Sequence, residues 1–268
     1  KVKPGAIYVA IPGINTDGHD YITNAIQNGA AAVIGSKSIP FQPSVPYIRV
    51  ENSREAMAWA VAALYGFPSQ SMTVIGVTGT DGKTTTSSMA AHILHQSGVG
   101  CNAFLGGILR NYGTNFLLSD SSPYSVIEAD EFDRSFHQLT PWVAVVTSTD
   151  PDHLDIYGTE EAYLESFAHF TELIRPDGAL IVHIADIRLG LPVDNNVDNA
   201  VAAMAACRLT EVTPDAMRQA IATFQGPKRR FEFWLKEPGE HGRVMIDDYA
   251  HHPDELRASI ASVRDLYP

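Results

Sequence analysis

Only two cysteines, Cys101 and Cys207, occur in 268 residues, far apart and without metal-ligand spacing. Their scarcity argues against a disulfide framework or a cysteine-based zinc site and predicts two buried thiols in a cytoplasmic protein. Nowhere does the chain hold the roughly 18 consecutive apolar residues of a membrane-spanning helix. Lys1-Val2-Lys3-Pro4-Gly5 is followed by no apolar run of signal-peptide type. Positive charge is scarce as well: 19 Lys+Arg stand against 31 Asp+Glu, a formal net charge of -12. Such a chain lacks the field that nucleic acid or an anionic membrane surface requires. An anionic ligand must therefore be held locally, by backbone amides and a few placed cations. Repeats and low-complexity tracts are missing too. Hydrophobic residues make up 45% of the chain and charged residues 19%, which excludes intrinsic disorder and leaves ample material for a core.

What is present is an alternation of short β-rich runs with amphipathic helices. It predicts an α/β fold with a central, mostly parallel phosphate-loop-type sheet flanked by helices. A small α/β N-terminal domain spans 1–70: a strand at Ile7 to Ile11, a helix at Asp20 to Asn28, a strand at Ala32 to Ile34, and a helix capped by Ser53 and running to Leu64. Gly66-Phe67-Pro68-Ser69-Gln70 reads as a linker. A central domain over 71–228 follows. Its strands are predicted at Thr73–Val77, Ser125–Glu128, Val143–Thr147 and Ala179–Val182. Its helices are predicted at Thr84–Gln96, Glu160–Ile174, Val197–Cys207 and Pro214–Phe224. The stripe Tyr163, Phe167, Phe170, Ile174 marks a core-facing helix, and Thr213-Pro214 an N-cap and N1 pair. From 229 to 268 the pattern is strand, strand, helix, the beginning of a further Rossmann-like domain.

The strongest chemical signal is Gly76-Val77-Thr78-Gly79-Thr80-Asp81-Gly82-Lys83-Thr84-Thr85 between a buried strand and a helix. Glycines let backbone N–H groups turn inward around an anion at a helix N-terminus. Lys83 can then reach β/γ-phosphates, and the Thr84 hydroxyl can ligate Mg²⁺. The usual phosphate-loop spacing wants glycine at position 77, which here is valine. Two acidic clusters follow other apolar strands: Glu128-Ala129-Asp130-Glu131-Phe132-Asp133 and Asp150-Pro151-Asp152-His153-Leu154-Asp155. Strand C-termini of a doubly wound sheet meet at the ligand crevice, so a carboxylate there can hold a metal, and His153 can be a ligand or an acid–base group. Solvated acidic loops are the plainer alternative for each. Asn196 and Asn199 open a helix, where they can cap it or read an adenine edge. Lys228-Arg229-Arg230, the one dense basic cluster, suits a phosphate clamp. Asp248 can hold a ribose, and His251 and His252 offer imidazoles without a third ligand nearby.

Gly79-Thr80-Asp81-Gly82-Lys83-Thr84-Thr85, Glu128, Asp152-His153-Leu154-Asp155, Asn196 to Ala200, Arg229-Arg230-Phe231-Glu232 and Asp248-Tyr249-Ala250-His251 occur in an order that resembles the Mur ligases of peptidoglycan synthesis. The resemblance implies ATP and Mg²⁺ as cofactors, and a UDP-N-acetylmuramate-type substrate and an amino acid as partners. ATP would phosphorylate the substrate carboxylate, and the amine would attack the acyl phosphate. By the same resemblance Gly79, Thr80, Asp81, Gly82, Lys83, Thr84 and Thr85 bind the nucleotide phosphates. Thr84 and Glu128 ligate one Mg²⁺, and His153 belongs to a second metal site. Asn199 reads adenine, Arg230 contacts the γ-phosphate and Asp248 the ribose; Lys83, Glu128, His153 and Arg230 carry the catalysis. The motifs from Glu128 onward are most like the branch that adds L-alanine, with the muropeptide-recycling branch next. Pro4 to Ile34 and Asp81 are instead similar to the branch adding the third residue, which leaves that activity, or a catalytically incomplete nucleotide-binding fragment, as alternatives. The family's stretch between His183 and Ile187 is nearly absent. The C-terminal domain reads as partial, so this resemblance predicts weak Mg·ATP binding without amide formation.

Overall fold

The computed structural model describes residues 2–13, 16–182, 195–237, 242–251 and 253–267. The chain divides into two compact units, Lys1–Ser71 and Met72–Pro268. In the first, β1 (Ile7–Ala10), α1 (Ile22–Gln27), β2 (Ala32–Gly35), β3 (Tyr47–Arg49) and α2 (Ser53–Leu64) build a three-stranded parallel sheet, order β1-β2-β3, over a small core of Ala10, Ile22 and Val33. Ser53 does not cap α2. Asn52 does, its side chain accepting from the backbone N–H groups of Arg54 and Glu55, and Ser53 is the first helical residue. Asn and Ser are equally good caps, and the preceding backbone, extended at Asn52, decides between them.

The second unit contains β4 (Thr73–Thr78), α3 (Lys83–Gln96), β5 (Asn102–Leu109), β6 (Thr114–Leu117), β7 (Tyr124–Glu128), β8 (Val143–Val146), α4 (Leu154–Tyr157), α5 (Glu160–Glu172), β9 (Ala179–Val182), α6 (Asn195–Arg208), α7 (Pro214–Thr223), β10 (Glu232–Lys236), β11 (Val244–Asp247) and α8 (Pro253–Leu266). Six of the strands form one sheet in the order β6-β5-β7-β4-β8-β9, parallel except for the edge strand β6. The strands β10 and β11 pair separately as an antiparallel ribbon. The hairpin of β5 and β6 is absent from the sequence reading. Its first strand carries Gly106-Gly107 and shifts register between Phe104 and Leu109, which breaks the alternation that marks a strand.

Both faces of the sheet are covered. On one side α3, α6 and α7 pack over Ile75, Val77, Ala103, Val126 and Val145. The helix α3 is buried from Thr86 to Leu94, the mark of a helix inside a domain rather than on its surface. On the other side Tyr163, Phe167 and Phe170 of α5 join Phe136, Ala144 and Val146, as their helical spacing predicts. Both Cys101 and Cys207 are buried free thiols; burial pushes Cys101 up to about 12 and Cys207 higher still. The junction at His183–Ile187 lies outside the described residues. Among the described residues no helix is long and apolar enough to cross a membrane.

One core histidine gives a pH test of this packing. His92 is fully buried; its Nε2 faces the Ala220 carbonyl at 2.9 Å and its Nδ1 the Tyr112 hydroxyl at 2.7 Å. Because Tyr112 already accepts from Gln96, its O–H donates to Nδ1, and the ring is neutral with the proton on Nε2. Burial lowers the His92 pKa. The unfolded chain therefore binds the extra proton more readily. Stability is fully present above the ordinary imidazole value of about 6.5 and is lost as pH falls from there through the folded value. His92→Gln is expected to flatten the fall of the melting temperature between pH 7 and 5.5. An unchanged slope would contradict a neutral core imidazole.

Candidate functional site

The order of the strands brings the three chemical clusters together. β4 lies between β7 and β8, so the segments leaving the C-terminal ends of these three strands meet at one edge, where a doubly wound sheet changes direction. These segments are the glycine-rich loop, the Glu128–Asp133 run and the Thr147–His153 run. An open cavity of about 370 Å³ lies at the opposite ends of these strands, against Thr73, Tyr124 and Trp142, away from all three.

The loop is held from both sides. Gly79 has φ +134 and Gly82 φ +81, conformations that only glycine adopts without strain. The Asp81 amide donates to Ser148 Oγ at 2.8 Å, the Thr80 amide to Ser148 O at 3.3 Å, and the Thr147 hydroxyl donates to the Asp81 carbonyl. The Thr80 hydroxyl donates to Asp150 O at 2.5 Å and lies 2.8 Å from the Tyr163 hydroxyl. Tyr163 therefore does more than fill the core: its polar tip, forced by burial to find a partner, reaches the loop.

At the start of α3 the Thr84 hydroxyl donates to Glu128 Oε1 at 2.7 Å. The other carboxylate oxygen, Oε2, accepts the Gly106 backbone N–H at 2.7 Å. A Cβ on Gly106 would stand 2.6 Å from Oε1 and 2.8 Å from Oε2, so a side chain there would push the carboxylate out of this seat. Lys83 Nζ donates to Gly79 O at 3.2 Å and to Glu131 Oε1 at 3.0 Å. Glu131 is fully buried, and its Oε2 has no hydrogen-bond partner. Desolvation raises its pKa, opposed by the Lys83 charge. Thr85 follows in the first turn of α3.

The other residues singled out in the sequence have partners of their own. Asn199 on α6 accepts the Thr86 hydroxyl at 3.1 Å, and a Cβ on Gly82 would clash with its Oδ1, so it packs against the loop. His153, in a left-handed conformation, sets its ring edge-on to Phe132 at 4.9 Å, with Nε2 3.5 Å from Asp152. Arg230 is paired with Glu255 at 2.8 Å, and Asp248 accepts the Ser259 hydroxyl. His251 Nδ1 lies 3.0 Å from Tyr249 O, while His252 is outside the described residues. Among the described residues no group of three or more His, Cys, Asp or Glu side chains could hold a metal by itself. Sequence reasoning missed Gly106, because β5 was missed. It placed Glu131 in an acidic run without seeing that its side chain turns inward to Lys83.

A parallel sheet with a glycine-turned loop, a lysine and a threonine at the head of the next helix, and a carboxylate on the neighbouring strand defines a phosphate-loop α/β protein. The family described as Mur ligase middle domain matches residues 77–188, and that described as Mur ligase family, catalytic domain, matches residues 1–65. The chain belongs to the Mur ligase family. It is 51% identical over 239 residues to a UDP-N-acetylmuramate–L-alanine ligase of Parabacteroides distasonis, an alignment covering 71% of this chain and 51% of the relative. A protein of the same name from Porphyromonas gingivalis is 46% identical over 240 residues, covering 71% and 52%. The chain thus spans about half the length of the curated relatives it matches. Among solved structures it is similar to MurF of Thermotoga maritima in complex with ADP (TM-score 0.76, 21% identity, 98% of this chain and 73% of that one). It is also similar to the UDP-N-acetylmuramate-alanine ligase MurC of Thermotoga maritima (TM-score 0.64, 22% identity, 99% and 78%). At those identities the likeness establishes the fold.

Proposed function

We propose that the protein is a cytoplasmic ATP-dependent amide ligase of peptidoglycan precursor synthesis, joining L-alanine to UDP-N-acetylmuramate through an acyl phosphate. The observation that carries this reading is the Thr84–Glu128 contact of 2.7 Å at the head of the phosphate loop. A hydroxyl and a carboxylate there are hard oxygen donors, and Mg²⁺ is usually held by one or two such groups together with nucleotide phosphates rather than by an all-protein cage. Thr84 and Glu128 would hold the ion, which supplies neutralisation of the charge on the transferring phosphoryl group. Relatives at 46–51% identity bearing the alanine-ligase name support the choice of substrates.

The chain's own residues define the remaining work. The loop from Gly79 to Thr85 cradles the phosphates with backbone N–H groups, and Lys83 adds a point cation. The substrate carboxylate attacks the γ-phosphorus and ADP leaves. The amine then attacks the acyl carbon, and the bridging oxygen departs with the phosphate. Asn199 lies behind the loop where an adenine would be read. His153 serves a second cation, Arg230 the γ-phosphate after leaving Glu255, and Asp248 the ribose. Residues 1–70 serve as the UDP-sugar-binding domain, 71–228 as the ATP-binding domain, and 229–268 contribute to a C-terminal domain.

Phosphate release measured with a panel of acceptors tests the proposal. Release that requires both UDP-N-acetylmuramate and L-alanine is expected, in place of the Mg·ATP binding without amide formation that the partial C-terminal pattern predicts. The resemblance of Pro4 to Ile34 and of Asp81 to the branch adding the third residue supports as a second reading a ligase acting on a UDP-muramoyl dipeptide. Release with UDP-N-acetylmuramoyl-dipeptide and a third amino acid would select it.

Gly106→Ala tests the carboxylate's seat. The added Cβ displaces Glu128 and removes the N–H bond to its charged oxygen, a loss of about 1.5–3 kcal/mol. Calorimetry should find Mg·ADP affinity lowered about tenfold or more. Affinity equal to wild type would show that Glu128 is not a nucleotide-site group.

A further inference from the structure

We propose that Glu131 is the positioning residue of the phosphate-loop lysine: it fixes the Lys83 ammonium so that one N–H is left for a transferring phosphoryl group. The inference deepens the ligase reading and rests on it.

The argument starts from what holds Glu131. Its carbonyl accepts the Tyr157 hydroxyl and the Arg134 backbone N–H, and two residues earlier the Ala129 amide donates to Val77 O at 2.8 Å, tying the segment to β4. The carboxylate is fully buried and cannot withdraw into solvent. Lys83 therefore comes to the carboxylate, not the reverse. An ammonium has three donors. Here Gly79 O takes one at 3.2 Å and Glu131 Oε1 a second at 3.0 Å. Neither acceptor belongs to a nucleotide, and both sit on anchored backbone, so the direction of the third N–H is set before any phosphate arrives. A flexible four-carbon side chain otherwise spends rotamer entropy to find one position. Protein kinases place a phosphate-binding lysine through a glutamate in the same manner.

The charge of Glu131 also opposes an incoming phosphate. Its loss should therefore leave ground-state affinity nearly unchanged, two effects offsetting, while transition-state alignment suffers. That pattern is a fall in kcat without a matching change in binding.

The test compares wild type, Glu131→Gln, Glu131→Asp, Lys83→Met and the Lys83→Met/Glu131→Gln double variant. Three quantities are measured: ATP- and acceptor-dependent phosphate release, Mg·ATP binding by calorimetry, and thermal unfolding without nucleotide. Glu131→Gln should lower kcat at least tenfold with Mg·ATP affinity within about threefold of wild type. Glu131→Asp, which keeps the charge but is one methylene shorter, should recover part of the loss. In the Lys83→Met background Glu131→Gln should change kcat less than twofold and should raise the melting temperature above that of Lys83→Met alone. Turnover within twofold of wild type in Glu131→Gln, or a tenfold loss that persists without Lys83, would overturn the proposal. Should wild type neither bind Mg·ATP nor release phosphate, the ligase reading fails. The unfolding comparison then decides the Lys83–Glu131 coupling by itself: rescue of Lys83→Met by Glu131→Gln supports it, and additive losses refute it.

Discussion

Lys83→Ala is expected to cut ATP-dependent phosphate release by about 10²–10³ and, at the same time, to make the fold weaken as pH rises. The first effect follows from charge. In a chain of net charge -12, removing a cation placed on the transferring phosphoryl group should cost about 10²–10³ in turnover, roughly 3–4 kcal/mol. The second follows from what Lys83 leaves behind. Glu131 is fully buried, its pKa already raised by desolvation and restrained mainly by the lysine charge. Without Lys83 that pKa climbs further above the unfolded value of about 4.3. The folded protein then holds a proton that the unfolded chain releases, so stability is retained below the unfolded pKa and falls as pH rises toward the folded one. A buried carboxylate left charged without its partner costs about 3–5 kcal/mol. Melting temperatures of Lys83→Ala should therefore drop from pH 5 to pH 8 far more steeply than those of wild type. Read from sequence alone, the same substitution looks harmless to the fold; the inward turn of Glu131 alters that expectation. Parallel curves for the two proteins would show that Lys83 and Glu131 are not coupled.

Gly79→Ala should be equally damaging, for a steric reason. At φ +134 the backbone occupies a region essentially reserved for glycine, a strain of about 1–3 kcal/mol for any other residue. The new Cβ would also stand 2.7 Å from Ser148 N and 2.9 Å from Ser148 O. Backbone cannot swing aside as a long side chain can, and Ser148 O is the acceptor for the Thr80 amide. The loop and the segment after β8 would have to separate. A destabilisation of about 3 kcal/mol or more and loss of measurable Mg·ATP binding are expected. Gly113→Ala is the control. Gly113 is also left-handed, at φ +68, but faces open space, and the substitution should cost only about 1–2 kcal/mol. Equal effects at the two positions would mean that the close packing of loop and strand end contributes nothing.

Much of this arrangement is legible in the sequence, and the exceptions have physical causes. Short β-branched runs such as Thr73–Val77 and Val143–Val146 announce buried parallel strands, and the Tyr163–Phe167–Phe170 stripe announces the helix that covers them. The phosphate loop can be read because glycine, lysine and threonine are each required at fixed offsets between a strand and a helix. The hairpin of β5 and β6 cannot, because Gly106-Gly107 and a register shift erase its alternation. Gly106 is nevertheless indispensable there, since its missing Cβ admits Glu128. Glu131 illustrates the opposite limit. It stands with three other carboxylates in six residues and looks solvated, yet it is buried while Asp130 and Phe132 beside it are exposed. Composition cannot distinguish the one carboxylate that turns inward; only the backbone path, fixed by Tyr157 and Arg134, does so.

The central claim is that a carboxylate is activated by phosphoryl transfer at the Thr84–Glu128–Lys83 site, and an isotope-transfer experiment measures that step directly. UDP-N-acetylmuramate carrying ¹⁸O in both carboxylate oxygens would be turned over with ATP, Mg²⁺ and L-alanine, and the released phosphate examined by mass spectrometry. An acyl phosphate retains the carboxylate's bridging oxygen on phosphorus when the amine displaces it. One ¹⁸O per released phosphate, with the other left in the amide, is the predicted result. Phosphate free of ¹⁸O, from simple ATP hydrolysis, or label appearing in AMP, from adenylyl transfer, would contradict it.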